Sequence, residues 1–296
     1  MVTRRNLLKG MIAAPLAASM RREAQAAAAI QYGYAGITWG NDYKKAIDEI
    51  AAVGYRGVQL RSSDGLLDEF GAKPAALREL LAQKRLTFAV FSSGNLSIDP
   101  AREKEMIDLH TSHARFVRQA GGLFLQVIDE RPKRAVVAAD YKRAGQLLTE
   151  LGKRVQDIGV TLAYHPHMNS TGEKPQELAA VLESADRRYV RVLFDTAHYQ
   201  QGGGDPAPAI RQYRDWIAVL HLKDVRAAAD QASGYQFVEL GRGRVDLKAV
   251  FVALNEINFK GWGVVELDRV PDAGRTPKES AEMNRQFLIE KVGQKF

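Results

Sequence analysis

The 296-residue chain is expected to fold as a (β/α)8 barrel, a single α/β domain preceded by an export signal. Three observations lead there. From residue 30 onward, eight short β-branched or aromatic runs alternate with eight longer amphipathic segments, the pattern of a closed parallel sheet ringed by helices. Removing residues 1–26 leaves 270 residues, close to the roughly 250 at which such barrels fold as one domain. Finally, the last four predicted strands each end in a metal-competent side chain, as the rim of a barrel would present them.

At the N-terminus, Thr3-Arg4-Arg5-Asn6-Leu7-Leu8-Lys9 precedes a mildly apolar stretch from Gly10 to Ser19 and then Ala24-Gln25-Ala26. This reads as a twin-arginine signal peptide over residues 1–26 with cleavage near Ala26. Arg21 and Arg22 ahead of that site would hamper a general secretory signal, and the apolar run is too short to span a bilayer. The expected destination is the periplasm or beyond, with no stable membrane insertion after processing. This route moves folded protein, which would let a metal be loaded in the cytoplasm before transit.

The barrel is expected over residues 30–296. Its strands are predicted over Tyr32–Ile37, Gly57–Leu60, Thr87–Phe91, Leu123–Ile128, Val160–His165, Val190–Asp195, Ile217–His221 and Gly263–Glu266. Helices are predicted over Tyr43–Val53, Pro74–Lys84, Arg102–Gln119, Val136–Ile158, Pro175–Ser184, Pro206–Tyr213, Leu247–Ile257 and Pro277–Glu290. Several open on Pro, whose missing N–H costs nothing in a first turn. The longest irregular stretch, Leu222 to Val245, is expected to cover the active site.

Composition narrows the chemistry. The formal net charge is +7, but residues 1–26 hold five basic residues and one acidic one, which leaves +3 on the remainder. That is too weak a balance to argue for nucleic acid. With no Cys, disulfides, thiolate nucleophiles and Cys-ligated zinc are excluded, and His, Asp and Glu are the strong ligands left.

The informative motifs are YHPH (Tyr164 to His167), FDTAH (Phe194 to His198), HLKD (His221 to Asp224) and VVELD (Val264 to Asp268). They place His165, Asp195, His221 and Glu266 at the C-terminal ends of four successive strands. Neighbouring strands lie about 5 Å apart, so these groups can converge on one ion. Singly, a carboxylate there would be a helix N-cap and a His a satisfied packing residue; four in consecutive order favour a site. Pro166 separates two histidines, so either His165 or His167 can be the ligand and the other a general acid or substrate contact; register favours His165.

Other residues receive roles against bland alternatives. Lys223 is a candidate electrophile or a solvated loop Lys. Glu266 is a ligand and a candidate base, and Glu130 a further acid/base or substrate contact. Trp39 and Phe91 are a candidate apolar wall for a ligand face, or core packing. Gly202 to Gly204 lacks the spacing of a phosphate loop. His110 and His113, on a long predicted helix, read as surface or packing residues.

VLHLKDVR (Val219 to Arg226), LGRGRVD (Leu240 to Asp246) and GWGVVELD (Gly261 to Asp268), with GITWG at Gly36, make the chain resemble the xylose-isomerase-like TIM-barrel superfamily. That superfamily holds sugar isomerases and epimerases, inosose dehydratases and apurinic endonucleases. The resemblance covers the chain from Gly36 to the last helix. It implies one divalent ion (Mn, Mg, Co or Zn) held by His165, Asp195, His221 and Glu266, with His198 touching substrate hydroxyls. Many isomerases and epimerases of the superfamily carry Glu where this chain has His165; YHPHM and HLKDVR are closer to the inosose dehydratases. Two carboxylates rather than three leave the ion a stronger Lewis acid.

The implied function is a sugar isomerase or epimerase that removes a proton α to a carbonyl, with the enediolate held by the ion. A dehydratase or lyase would share that first step and then expel a β-substituent from an inosose or a 3-keto-glycoside. A silent sugar-binding barrel and a metal-dependent endonuclease are the remaining alternatives, the latter poorly served by this ligand count and charge. Export argues for an unphosphorylated small-molecule sugar or keto-sugar. Oligomeric state is left open, a homo-oligomer included.

Overall fold

The computed structural model describes residues 30–296, so the twin-arginine segment lies outside the described residues. Strands β1 (Gln31–Ala35), β2 (Gly57–Arg61), β3 (Thr87–Ser97), β4 (Phe124–Glu130), β5 (Thr161–Tyr164), β6 (Val190–Asp195) and β7 (Ile217–Leu222) run parallel in chain order. The hairpin of β8 (Asp224–Ala227) and β9 (Tyr235–Val238) follows, and β10 (Trp262–Val265) then closes the barrel by pairing with both β7 and β1.

Around the sheet lie α1 (Tyr43–Val53), α2 (Leu66–Phe70), α3 (Pro74–Gln83), α4 (Glu103–Gln119) and α5 (Ala138–Ile158). They continue with α6 (Pro175–Glu183), α7 (Thr196–Gln201), α8 (Pro206–Gln212), α9 (Leu247–Glu256) and α10 (Pro277–Glu290). Local chemistry sets their ends. The Asp42 carboxylate accepts from Lys45 N at the start of α1, which stops at Gly54 in the left-handed region, and Thr276 with Glu279 forms a capping box on α10. No helix among the described residues is long and apolar enough to cross a membrane.

Two apolar layers follow from strand alternation. Inside the barrel pack Ala35, Val90, Ala163, Leu193, Val219, Trp262 and Val264. Trp262 fills the space beside Gly57, where a Cβ would lie 2.2 Å from the indole, so that position excludes any side chain. Between sheet and helices lies the larger core, with Tyr34, Phe91, Leu125, Tyr164, Phe194 and Leu220 among its buried members.

The structure corrects several boundaries. The first strand ends at Ala35, and Gly36–Trp39 turns as a 3-10 helix. The third runs to Ser97, six residues past the predicted end, because its pairing resumes with β4 at Asn95 after a register shift. Helices α2 and α7 were not foreseen, and the stretch read as irregular contains the β8–β9 hairpin.

Candidate metal centre and active site

One turn of alternation above the inner apolar layer, side chains on the same strand faces become polar. Ala163 is followed by His165, Leu193 by Asp195, Val219 by His221 and then Lys223, and Val264 by Glu266. Pairing carries two of these past the strand ends, since His165 N donates to Val127 O at 2.9 Å and Glu266 N to Leu222 O at 3.2 Å. All five of His165, Asp195, His221, Lys223 and Glu266 are buried, 7% exposed or less. Burial of so many ionisable groups is unfavourable unless they satisfy one another or a ligand.

Their hydrogen bonds show what is left over. Asp195 Oδ1 caps α7, accepting from Ala197 N and His198 N at 2.8 Å each, while Oδ2 is buried with no partner. His221 Nε2 donates to Gln59 Oε1 at 2.8 Å, and Gln59 Nε2 in turn donates to Gln126 Oε1 at 3.1 Å, which sets the imidazole tautomer. His221 Nδ1 then faces Asp195 Oδ2 at 3.3 Å and Glu266 Oε2 at 3.1 Å, again with no hydrogen bond. His165 Nδ1 is the third orphan, its ring centroid 4.8 Å from that of His221. Three unpartnered buried acceptors beside a carboxylate fit a divalent cation, for which imidazole nitrogen and carboxylate oxygen are suitable donors.

Ligand atoms of His165, Asp195, His198 and Glu266 also lie within 4.8 Å of one another, as do those of His165, His167 and His198. We favour His221 over His198 as the ligand. His198 Nε2 lies 3.4 Å from Lys223 Nζ as a hydrogen-bond partner, whereas His221 Nδ1 has none. The electrostatics agree. Burial alone would depress His221, but Glu266 and Asp195 reverse this and raise it to about 9, so the two carboxylates make this spot favour positive charge, which a cation would supply. Burial would raise Glu266, yet His221 and Lys223 hold it well below the usual carboxylate range. Burial, with the neighbouring cations, pushes His165 and His198 well below an ordinary imidazole.

Beside the ligand set, Lys223 Nζ donates to Glu266 Oε2 at 2.9 Å and Asp268 Oδ1 at 2.5 Å. Burial opposes its charge, but Asp268 and Glu266 prevail and keep it an ammonium. His167 is half-buried, its Nδ1 donates to Met168 O at 2.8 Å, and its ring lies 3.8 Å from that of His198.

Three expected site residues lie elsewhere. Phe91 is mid-strand and faces the helix layer, packed on Phe88, His113 and Phe116, because β3 is longer than predicted. Trp39 packs edge-on to Tyr34, and its indole N–H donates to Glu49 Oε2 at 2.6 Å. Glu130 lines a separate cleft with Arg102 and Arg143, bonded to Arg102 at 3.5 Å. The aromatic that does reach the site is Phe237 on β9, its centroid 4.1 Å from Lys223 Nζ and 5.0 Å from the His198 ring. Gln59, Gln126 and Asp268 are the other additions. A Gln set between apolar neighbours, Val58 and Leu60 on β2 and Leu125 and Val127 on β4, was the available signal for the two glutamines; nothing local marked Phe237.

A family model described as xylose isomerase-like TIM barrel matches residues 47–290. The inosose dehydratase of Lacticaseibacillus casei is 28% identical over 295 residues, covering 88% of this chain and 96% of that protein. Among solved structures, the IolI protein with a bound zinc atom superposes with a TM-score of 0.77 at 20% identity, covering 90% of this chain and 99% of that one. An L-ribulose 3-epimerase superposes at 0.72 with 16% identity, covering 88% and 93%. With four strand ends converging as described and the family match spanning most of the barrel, the chain belongs to the xylose isomerase-like TIM-barrel family.

Proposed function

We propose that this protein is a divalent-cation-dependent carbon–oxygen lyase. It would remove the proton beside the carbonyl of an unphosphorylated polyhydroxy ketone and expel the β-oxygen substituent. The observation that carries the reading is the trio of buried, unpartnered atoms His165 Nδ1, Asp195 Oδ2 and His221 Nδ1 around Glu266 Oε2. A divalent cation held there would polarise the substrate carbonyl and acidify the adjacent C–H. Glu266 uses Oε2 toward His221 and Lys223, and its other oxygen is assigned the α-proton. Lys223, held as an ammonium, faces the oxygen on which negative charge grows. His167, the one half-exposed imidazole of the group, is assigned the proton delivered to the departing oxygen. Across the barrel, Arg61 has a buried Nε–H without an acceptor, a donor for a substrate hydroxyl.

The distribution of charge favours elimination over epimerisation. Carboxylates come from the β6 and β10 ends as Asp195, Glu266 and Asp268, while imidazoles His165, His167 and His198 fill the side next to β5 and α7. Inverting a carbon takes a base on each face; expelling a β-oxygen takes one base and one acid, which is the set present. The similarity to inosose dehydratases supports the same choice. Cation-loaded mature protein incubated in deuterated water with inososes, 3-keto-glycosides and ketohexoses is expected to place deuterium beside the carbonyl and release the β-oxygen from the cyclic ketones. Absence of both deuterium uptake and elimination would overturn the proposal; uptake with inversion alone would move it to epimerase.

A further inference from the structure

Every candidate ligand and proton-transfer side chain except His167 is 7% exposed or less, so something lies over them. Phe237 is part of that cover. Its ring sits 4.1 Å from Lys223 Nζ, 5.0 Å from the His198 ring and 5.4 Å from Tyr235, yet the residue remains half-buried and its ring is not wholly spent on these contacts.

The hairpin that carries it has a pinned base and an open tip. Asp224, buried at the root of β8, accepts from four backbone amides: Val225 at 2.8 Å, Gly241 at 3.0 Å, Gly243 at 2.9 Å and Val245 at 3.0 Å. A Cβ on Gly243 would lie 2.1 Å from Asp224 Oδ1, so the loop can approach only as glycine. Gln236 is tied by Arg226 at 2.8 Å and donates to Pro271 O at 3.3 Å. Beyond Ala228, residues 229–234 are exposed and held mainly by turns within the tip itself.

Resting on the lyase reading above, we propose that Phe237, held opposite Val225 at the pinned base of the β8–β9 hairpin, is the substrate-facing aromatic wall of the site and covers the C–H face of a ring-form ketone. A cyclic polyol ketone has one face of axial hydrogens that an aromatic ring can cover while its hydroxyls reach Lys223, His198 and Arg61. An open-chain ketose offers no such continuous face, so Phe237 selects against it. The wall expected at Trp39 and Phe91 is thereby supplied from the one stretch with no strand pattern legible in sequence.

The test uses zinc-loaded protein and two readouts. In the first, KM and kcat are compared for an inosose and for open-chain L-erythrulose in wild type, Phe237→Ala, Phe237→Leu and Phe237→Trp. The expected result is a rise in KM for the inosose of roughly three- to tenfold in Phe237→Ala and Phe237→Leu, recovery in Phe237→Trp, unchanged zinc content, and little change for erythrulose. In the second, hydrogen exchange of residues 225–238 is followed with and without saturating myo-inositol, a cyclic polyol without a carbonyl. Exchange is expected to slow in wild type and not in Phe237→Ala. If inosose is turned over but its KM is indifferent to Phe237, the inference fails while the lyase reading stands. If no ketone is turned over yet myo-inositol slows the hairpin through Phe237, the lyase reading fails and the wall stands.

Discussion

At the residue scale, Asp195 does two jobs with two oxygens. Oδ1 caps α7, and Oδ2 points into the ligand set. Asp195→Asn retains an acceptor for the cap but loses the anionic ligand, so it is expected to fold with near wild-type stability while binding little zinc or manganese. Asp195→Ala should lose the metal and also about 1 kcal/mol of stability. Metal analysis paired with urea denaturation separates the two effects, and full occupancy in both variants would remove Asp195 from the site. His165 stands where the superfamily resemblance implies Glu in many isomerases and epimerases. His165→Glu adds a third carboxylate, weakening the bound cation as an electrophile while supplying a base on the imidazole side. It is expected to keep metal, to lose β-elimination by at least tenfold, and to keep measurable α-deuterium exchange. Elimination undiminished in that variant would shift the role to His167.

At the element scale, the hairpin over the site depends on Asp224, whose carboxylate organises residues 241–245 around itself. Burial raises its pKa, and the amides only partly counter this. Asp224→Ala leaves the buried amides of Val225 and Val245 and the part-buried ones of Gly241 and Gly243 without their acceptor, and we expect a loss of about 3 kcal/mol in urea unfolding together with faster hydrogen exchange across 225–245. Unchanged exchange there would show that Val238 and Leu240, packed into the core, suffice to hold the hairpin base. Helix α4 offers a second element-scale case. His113 Nδ1–H donates to Ser93 Oγ, the hydroxyl donates to His110 Nδ1, and His110 Nε2–H donates to Asn95 O, so the relay ties α4 to the extended end of β3 only while His110 is neutral.

At the scale of the whole molecule that relay becomes an acid sensitivity. Burial pushes His110 down to about 4 from the 6.5 it has when exposed, and His113 moves the same way. Above pH 6.5 neither state holds the proton and the fold is unaffected; as pH falls from 6.5 toward 4 the unfolded chain takes up a proton that the folded one refuses. Stability is therefore lost across that window, by about 3 kcal/mol from His110. His110→Gln is expected to be less stable at pH 7 but to lose less on acidification, read from urea midpoints between pH 7 and 4; parallel curves would show that the relay does not titrate. For localisation, we propose export by the twin-arginine route, and replacing Arg4 and Arg5 together by Lys should leave unprocessed precursor in the cytoplasm. Unchanged export would point to another route.

The alternation of apolar runs with amphipathic segments was enough to specify eight strands and the main helices, because strand and helix periods are local properties of the chain. The strand-end positions of His165, Asp195, His221 and Glu266 were legible for the same reason: a two-residue alternation past an apolar run sends the next polar side chain inward. What needed the tertiary structure was everything that depends on a partner distant in sequence. Gln59 becomes the orienting acceptor of His221 only across 162 residues, and Asp268 becomes the counter-charge of Lys223 across 45. Phe91 was displaced from the rim because pairing with β4 prolonged β3 beyond its apolar run. Phe237 reached the site because Asp224 folds a glycine-rich segment back onto itself, and no periodicity in one chain segment encodes which distant surface an exposed hairpin will cover.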